Sequence, residues 1–465
     1  MRIVVLAVAA ALAALPSSAG AVPTPPSTSA LTPAQATALG QQAYLYGFPL
    51  LEFLRVRATA TSVACPDGRG DAPVNAFSHA TRFTTPATRT IVAPNVDTLY
   101  SIAHLDLGKG PVVLSHPRMG KRYFVFQLLD AYTNTIGYVG SRTTGTKAGR
   151  FAITWTGHRG RRVPGARTIT SPSRRVWIIG RTLAGNLADQ HRALRSMRRY
   201  GLTPPGGARR FPAGCRPGSP TKATTPTGLA FLDALGAALE QNPPPDRDRA
   251  VLAQLAQAGV GPGMRPEQAG MPAGVLDALV AGVTNTAAAL PTVAKSTLQG
   301  QAAAKHGWAI PAKNIGNYGT DYTYRAGVAA LGLGANTREE AVYPTGLADE
   351  TGQPFDGAAS YRMVIAKGQE PPARAFWSLT MYDADGYLVA NAQNRYAIGD
   401  SHPPLVRRPD GSIVVVMQRT KPAEAGVNWL PTPPGPFRLN LRIYRPEASV
   451  LSGAWQPAPV RRVGP

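Results

Sequence analysis

Short apolar runs broken by turn residues fill two long stretches of this chain, and they constrain its fold most strongly. In 76–181, runs rich in Val, Ile, Tyr and Phe alternate with Gly, Pro, Asn and Asp. Spacing of this kind is typical of an antiparallel sandwich or barrel. The strands predicted in this stretch are 99–103, 112–114, 122–128, 152–155 and 176–179.

The same signature returns from Gly319 onward. Two four-residue segments, 383–386 and 408–411, end in Asp-Gly, and glycine supplies the positive φ that a hairpin turn needs. The strands predicted here are 375–381, 387–389, 413–418 and 437–444.

Between these stretches the chain becomes rich in Ala and Leu, which is typical of helices. Pro and Gly clusters divide the section into predicted helices at 229–240, 247–258 and 275–304. Further helices are predicted over 36–54, with Thr32 as N-cap and Pro33 at the first position, and over 187–200. Packing of apolar helical faces against the β domains explains the central section better than a cofactor role.

These patterns predict a mainly β protein with a helical insert, of the α+β class, with two antiparallel β domains joined by a helical section. The predicted boundaries are a spacer and N-terminal helix at 22–59, an N-terminal β domain at 60–200, a Pro/Gly linker at 201–226, a helical section at 227–310 and a C-terminal β domain at 311–465.

The first residues have the parts of a cleavable signal peptide. Met1 and Arg2 give a positive start, 3–15 is an unbroken apolar run, and 19–21 offers the Ala-Gly-Ala pattern that signal peptidase reads. The run is shorter than the roughly 20 residues that span a bilayer. We predict a signal peptide at 1–21 and a secreted or periplasmic mature protein, the alternative being an uncleaved N-terminal anchor. No later stretch is expected to cross a membrane.

Cys65 and Cys215 are the only cysteines, and each lies among loop-forming residues. In an oxidising compartment such a pair usually forms one disulfide. The alternative is two separate thiols, since sequence does not show whether the two loops meet.

The net charge of +23 is unevenly distributed. Of the 49 basic residues nine are Lys, and between Arg159 and Arg216 there are 14 arginines and one acid, Asp189. Such a block could hold the protein near anionic envelope polymers. Nucleic acid is not expected as a partner, because no binding motif accompanies the block. The alternative is a solvated basic face without a specific partner.

Familiar catalytic and cofactor motifs are absent. The chain has no Gly-x-Ser-x-Gly, His-Glu-x-x-His, Cys-x-x-Cys or phosphate-binding loop. Its seven histidines show neither i,i+2 nor i,i+4 spacing, and a lone His is usually a surface or hydrogen-bonded residue. The spacing therefore identifies no metal site, the alternative being distant histidines that converge in space, and the sequence identifies no cofactor.

Several longer stretches together resemble one bacterial family. They are 44–49 (YLYGFP), 94–101 (PNVDTLYS), 123–134, 144–145, 317–325, 339–344 (EEAVYP), 375–383 and 428–431 (NWLP). The order and extent are similar to proteins that pair the domain of unknown function 1254 with the domain of unknown function 1214. The resemblance implies an often exported protein with jelly-roll-like β domains. It transfers no catalytic residues, because the family has none agreed.

Four carboxylates lie inside these stretches, in a chain with only 26 acids. They are Asp97, Asp130, Asp321 and Asp383. Two of them sharing one pocket could divide the acid and base roles of glycoside cleavage. The alternative for each is a turn or helix cap, because an Asp side chain readily bonds its own backbone.

Polar and aromatic neighbours of these carboxylates are the candidate substrate-binding residues. They are Asn95, Tyr100, Tyr132, Asn134, Tyr318, Tyr324 and Arg395. Tyrosines could form a hydrogen-bonding wall, and an arginine could hold an anionic group. The alternatives are buried strand tyrosines that only need a partner for the hydroxyl, and an arginine in a salt bridge.

Three functions stay open on this basis. The first is a hydrolase or lyase that acts on a glycan or small polar molecule, with paired carboxylates in a cleft between the β domains. The second is a non-catalytic module that binds an envelope polymer or small ligand. The third is a structural protein that assembles through its helical section.

Overall fold

The structure is a computed structural model that describes residues 31–89, 92–158, 160, 162–185, 187–400, 402 and 405–464. The predicted signal peptide at 1–21 and the spacer up to residue 30 lie outside the described residues. The α-helices are α1 (Pro33–Ala60), α2 (Leu187–Met197), α3 (Gly228–Gln241), α4 (Arg249–Ala256), α5 (Ala273–Ala303), α6 (Tyr322–Gly332) and α7 (Ala448–Ser452). Two short 3-10 helices, Asp246–Asp248 and Pro266–Ala269, precede α4 and α5.

The N-terminal β domain consists of two sheets with a shared apolar core. The larger sheet has the order β1-β2-β8-β4-β5 and the smaller has β7-β6-β3-β9, with a parallel pairing only between β6 and β7. The strands are β1 (Ser78–His79), β2 (Thr98–Asp106), β3 (Val112–His116), β4 (Phe124–Leu129), β5 (Thr135–Gly140), β6 (Gly149–Trp155), β7 (Arg167–Ser171), β8 (Arg175–Leu183) and β9 (Gly201–Thr203).

The C-terminal β domain has the same plan. Its larger sheet has the order β10-β12-β18-β14-β15, with β11 also on β18, and its smaller sheet has the order β17-β16-β13-β19. The strands are β10 (Trp308–Ala309), β11 (Ala341–Val342), β12 (Thr345–Gly346), β13 (Ser360–Ile365), β14 (Ala373–Asp383), β15 (Ala397–Gly399), β16 (Ile413–Gln418), β17 (Asn428–Pro431), β18 (Phe437–Pro446) and β19 (Val460–Gly464).

The two domains have the same strand order: adding ten to the number of a strand from β2 to β9 gives its counterpart in the C-terminal domain. β2-β8-β4-β5 corresponds to β12-β18-β14-β15, and β7-β6-β3-β9 corresponds to β17-β16-β13-β19. The one parallel pair recurs as β16 with β17, and a helix follows the long strand in both cases, α2 after β8 and α7 after β18. The described part of the chain therefore contains two copies of one topology.

The helical section packs around α1. Gly40 of α1 and Gly282 of α5 let the two helices touch backbone to backbone: a Cβ on Gly40 would lie 2.1 Å from the Leu279 carbonyl oxygen, and one on Gly282 would lie 2.2 Å from that of Thr37. Any larger side chain at either glycine would force the helices apart. The N-terminus of α1 carries the expected capping box, in which Thr32 and Gln35 bond each other's backbone N–H groups.

The α+β class and most of the predicted elements are confirmed. Two predictions are wrong: 387–389 forms no strand, and the stretch after Gly319 begins with helix α6. Tyr and Thr at the start of α6 favour strands, but the N-cap Asp321 and the Ala-rich remainder make it helical. Within the predicted linker, β9 pairs with β3 of the N-terminal domain.

One helix among the described residues, α5, is long and apolar enough by length and composition to cross a membrane. Only 28% of its most apolar 18-residue window is buried. Its buried residues pack against α1, α3, α6 and β10, and its other face is exposed, as expected of a helix on the surface of a globular section. We expected no membrane-spanning stretch after the N-terminal segment, and α5 is the one described helix that does not fit this expectation.

Cys65 and Cys215 form a disulfide, with Cα atoms 6.4 Å apart. Neighbouring backbone contacts also hold the segment from the predicted linker against the end of α1: Ala64 N–H donates to the Pro217 carbonyl at 3.0 Å, and Ala223 N–H to Thr59 Oγ1 at 3.0 Å. The bond therefore closes a loop that contains the whole N-terminal β domain. A disulfide fits a protein that works outside the cytoplasm.

Replacing both cysteines by serine should lower the free energy of unfolding by up to about 5 kcal/mol, because the bond joins residues 150 apart and restricts a very long loop of the unfolded chain. Urea unfolding of the double variant measures this loss, with the reduced wild-type protein as its control. A double variant as stable as the oxidised wild-type protein would contradict the expectation.

Candidate functional site at the domain interface

The two larger sheets face each other across the domain interface. Its apolar centre joins Tyr123, Val125 and Tyr138 of the N-terminal domain with Ala341, Phe376 and Tyr444 of the C-terminal domain. Because one face of β4 covers its own core and the other faces the partner domain, all of its residues are buried. Polar groups surround this centre and meet across the interface.

A buried arginine of the C-terminal domain holds the loop that precedes β2. Arg442 on β18 is 3% exposed, and it donates to the Ala93 carbonyl at 2.7 Å, to the Tyr382 hydroxyl at 2.6 Å and to Thr380 Oγ1 at 2.8 Å. The Tyr382 hydroxyl in turn donates to the Pro94 carbonyl at 2.7 Å. Burial opposes the charge of Arg442, but its phenolic and carboxylate neighbours outweigh that effect and raise its pKa.

An equivalent arginine of the N-terminal domain holds the loop that precedes β11. Arg181 on β8 donates to Gln127 Oε1 at 3.0 Å, and it reaches the Gly334 carbonyl and Asn336 Oδ1 at 3.4 Å each. Each of the two loops also contains an asparagine that donates to a tyrosine hydroxyl. Asn336 of the second loop donates to Tyr343 at 2.6 Å, and Asn95 of the first loop donates to Tyr100 at 3.0 Å. We call these two arginine–loop contacts the reciprocal latch.

Asp97 ends the first of these loops and is fully buried. Its Oδ2 accepts a hydrogen bond from Ser378 Oγ at 2.7 Å, and its Oδ1 lies 2.8 Å from His402 Nε2. The Asp97 carboxylate of the N-terminal domain is therefore bound by two side chains of the C-terminal domain. The His402 side chain is 14% exposed, so its ring connects the buried carboxylate with solvent. Burial alone would lower the pKa of His402, but the hydrogen bond and charge of Asp97 raise it above 6.5.

A second carboxylate lies beside this pair. Asp400 precedes His402 by two residues, and its Oδ1 accepts from the Trp377 N–H at 3.1 Å. Desolvation first, and then the charge of Asp97, raise the pKa of Asp400 to about 6, against the lowering effect of the Trp377 N–H. Asp97, Asp400 and His402 thus form a group of titratable side chains at the domain interface, and we call it the Asp97–His402 site.

A small pocket borders the loop that carries Asp400 and His402. Ala397 and Ile398 line it before the loop and Val406 lines it afterwards, and its volume is about 80 Å³. Arg395, a predicted substrate-binding residue, also lines it and donates to the Trp429 carbonyl at 3.1 Å. A backbone carbonyl therefore fixes the Arg395 guanidinium at a pocket that borders the loop of Asp400 and His402.

Asp130 and Tyr132 lie in a different place, where the turn after β4 meets the helical section. The carboxylate of Asp130 accepts from the backbone and side chain of Asn134, and burial raises its pKa to about 6. The Tyr132 hydroxyl donates to the Asn242 carbonyl at 2.6 Å. These contacts fix the turn and leave the Asp130 carboxylate with a local partner.

Arg325 of α6 fills the centre of this second region. It is fully buried, donates to the Tyr46 carbonyl at 2.8 Å and lies 5.2–5.8 Å from the ring centres of Tyr46, Tyr132 and Tyr322. The hydroxyls of Tyr46 and Tyr322 both donate to the buried Asp248. This aromatic cage joins α1, α6 and the N-terminal domain.

The other predicted residues have local structural contacts. Asp321 caps α6 by accepting from the Tyr324 N–H at 3.0 Å, and the Tyr324 hydroxyl accepts from the Ala312 N–H at 3.1 Å. Asp383 accepts from the Tyr387 N–H and pairs with Arg89 at 3.3 Å. Tyr318 is buried against the Tyr324 ring. The four predicted carboxylates therefore have separate partners, and two of them reach the other domain: Asp97 meets His402, and Asp383 meets the exposed Arg89.

His402, Asp400 and Ser378 are the residues that sequence reasoning missed. Ser378 lies inside a matched motif, but nothing in its neighbours distinguishes it from an ordinary strand serine. His402 comes 305 residues after Asp97, and such a contact exists only after the two domains pack. Among the described residues no three His, Cys, Asp or Glu side chains are grouped so that they could hold a metal ion.

Replacing Arg325 by alanine should lower the free energy of unfolding by about 3 kcal/mol or more, because a desolvated cation in three aromatic contacts is lost and a cavity remains. Chemical denaturation measures the change. Arg247→Ala, which removes an exposed arginine nearby, is the matched control and should change stability little. Equal effects of the two substitutions would contradict the cage as a source of stability.

The Asp97–His402 contact should stabilise the fold most at low pH. The folded-state pKa of His402 is raised above its usual 6.5, so the stabilisation is complete below pH 6.5 and is lost as the pH rises through that raised value. NMR titration should place the pKa of His402 above 6.5 in the wild-type protein and at a lower value in Asp97→Asn. A wild-type His402 that titrates at or below 6.5 would refute this.

Two family models match the chain. The protein of unknown function DUF1254 matches residues 74–204, and the protein of unknown function DUF1214 matches residues 340–448. These segments contain most of the two β domains and both arginines of the reciprocal latch. No curated protein matches the sequence.

The solved structure of a similar protein agrees with the fold. The VPA0106 protein from Vibrio parahaemolyticus is 23% identical, with a TM-score of 0.67, and the match covers 92% of this chain and 100% of that one. A putative uncharacterised protein from Burkholderia cenocepacia is 13% identical over 92% of this chain and 94% of its own, with a TM-score of 0.42. With both domain models matched in order, the chain belongs to the family that pairs DUF1254 in its N-terminal half with DUF1214 in its C-terminal half.

Proposed function

We propose that this protein is an extracytoplasmic hydrolase or lyase that acts on a glycan or another small polar molecule, with His402 as its proton-transfer residue. The observation that carries the proposal is the 2.8 Å contact between buried Asp97 and the partly exposed His402. The apolar N-terminal segment of the sequence and the disulfide support the compartment.

The role of Asp97 follows from its two contacts. The Ser378 hydroxyl donates to Oδ2, which fixes the carboxylate, and Oδ1 is then placed to accept from His402 Nε2. That contact keeps the hydrogen on Nε2 in the neutral ring and leaves Nδ1 to take a proton. Ser378 itself does not contact the ring, so the arrangement supports acid–base chemistry and not attack by a serine.

The titration ranges suit proton transfer at neutral pH. General acid–base catalysis is most efficient when the pKa of the group lies near the working pH. The pKa of His402 is raised above 6.5 and that of Asp400 is raised to about 6, so one group can be protonated while the other is ionised. In this proposal Asp97 and Asp400 take the place of the carboxylate pair expected from the sequence, and the His402 imidazole is the group that reaches solvent.

Arg395 supports a polar substrate. Its guanidinium lies in the small pocket beside the loop and can hold a carboxylate or carbonyl oxygen of the bound molecule. The pocket volume of about 80 Å³ suits one substituent of a substrate whose remainder stays in solvent. The binding-module alternative and assembly through the helical section stay predictions.

The test is turnover of a panel of nitrophenyl glycosides and esters, together with uronate polymers whose elimination products absorb in the ultraviolet. His402→Gln should lower kcat by about a hundredfold or more, which is typical of a lost general acid–base residue. His191→Gln removes an exposed histidine and should leave kcat within about twofold.

Asp97→Asn separates positioning from catalysis. It keeps the size of the side chain but weakens control of the His402 pKa, so the acidic limb of the pH–rate profile should move to lower pH. A folded His402→Gln variant with wild-type turnover would contradict the proposal. A wild-type protein that is inert across the whole panel would contradict it as well.

A further inference from the structure

The pocket at Arg395 lies close to His402 along the chain. Ile398 lines it four residues before His402, and Val406 lines it four residues afterwards. Four residues of fully extended chain span at most about 14 Å. A group that enters this pocket therefore belongs to the same region of a substrate as the bond on which His402 is proposed to act.

The pocket is small and its walls are mainly apolar. Its volume of about 80 Å³ equals roughly three water molecules at their volume in the liquid. Such a space accepts a carboxylate or an acetyl group with its attached carbon, and it is too small for a sugar ring. Most of the lining comes from Ala397, Ile398, Val406, Val427 and the indole of Trp429. A charged group that leaves water to enter this pocket must therefore meet a charge of opposite sign.

The protein itself occupies two of the three polar side chains in the described lining. The Asn428 amide donates to the carbonyls of Val406 and Val414 at 2.9 and 3.1 Å, and its Oδ1 accepts from the Val406 N–H at 2.9 Å. The Trp429 indole N–H donates to the Gln418 carbonyl at 2.9 Å. These bonds hold the wall in place and leave the arginine as the side chain that a ligand can engage.

Arg395 is held in position and lacks an acidic partner. The Asn391 side chain bonds both the backbone N–H and the backbone carbonyl of Arg395, at 3.0 and 2.9 Å. The guanidinium donates to the Trp429 carbonyl at 3.1 Å, which uses one of its five N–H groups. No acid that the structure describes forms an ion pair with it. This partly buried cation is therefore preorganised for an anion, and a carboxylate suits its planar donors.

We propose that the Arg395 pocket sets the substrate specificity of the Asp97–His402 site and takes a free carboxylate on a short branch of the substrate. The inference rests on the proposed function, because it names the substrate class of the same site. That class is a molecule with a carboxylate near the reacting bond, such as an acidic sugar, and not a neutral glycan. An acetyl group of a neutral glycan would fill the space but would leave the guanidinium without a counter-charge.

Acetate and acetamide test this inference by binding alone, because they have nearly the same shape and differ in charge. In methyl NMR at constant ionic strength, acetate should move the Ile398 signal with at least about tenfold higher affinity than acetamide, since it gains a charge-assisted hydrogen bond. Ile398→Val assigns the signal. Equal affinities for the two molecules, or an Ile398 signal that acetate does not move, would overturn the inference.

Three variants locate the charge that acetate requires. Arg395→Gln should weaken acetate binding by at least about tenfold and leave acetamide nearly unchanged. The matched control Arg419→Gln removes an exposed arginine outside the lining, next to the Gln418 carbonyl that accepts from the indole, and should change the affinity by less than about twofold. Val427→Phe fills the pocket with the cation still present and should prevent acetate binding. An equal loss in Arg419→Gln, or undiminished binding in Val427→Phe, would show attraction by net charge only and would refute the assigned pocket.

Turnover of nitrophenyl glucuronide and nitrophenyl glucoside separates this inference from the proposed function. The wild-type protein should favour the glucuronide by at least about tenfold in kcat/KM, and Arg395→Gln should remove that preference. Equal kcat/KM for the two glycosides would overturn the carboxylate specificity and leave the proposed function standing. Acetate binding that depends on Arg395, in a protein that turns over neither glycoside, would uphold the carboxylate selectivity and contradict only the catalytic function.

Discussion

Two buried guanidinium groups govern how the domains of this protein meet. A charge removed from water is costly unless hydrogen-bond acceptors replace the solvent. Arg442 finds these acceptors in the loop before β2, and Arg181 finds them in the loop before β11. Each arginine belongs to one domain and each loop belongs to the other. Separation of the domains would expose both loops and leave both arginines without these partners, so the interface is rigid and specific.

The geometry of the Asp97–His402 site depends on this latch. The loop that Arg442 holds at Ala93 ends at Asp97, four residues later. Ser378 and Arg442 are register partners on neighbouring strands, so the same part of the sheet receives both ends of the loop. Because His402 comes from the C-terminal domain, its contact with Asp97 requires the domains to be docked.

The sequence predicts local structure well where a single physical signal dominates. Short β-branched runs between turns predict the four longest strands, β2, β8, β14 and β18, and Thr32 and Pro33 predict the start of α1. Failures come from tertiary effects: α6 is helical although it begins with Tyr-Thr-Tyr, because Asp321 caps it and Arg325 is drawn into an aromatic cage. Asp97 was found through its motif, whereas His402 was not, since a contact across 305 residues has no local signature.

The repeated strand order points to the history of the chain. Two halves with one topology, each gripping the loop of the other, are what fusion of a duplicated gene would produce from a symmetric homodimer. Fusion frees the halves to diverge. In the first loop Asp97 follows Asn95 by two residues, whereas in the second Arg338 follows Asn336 at the same distance. The carboxylate that holds His402 therefore stands on one side of the interface only, opposite an arginine at the matching position of the second loop.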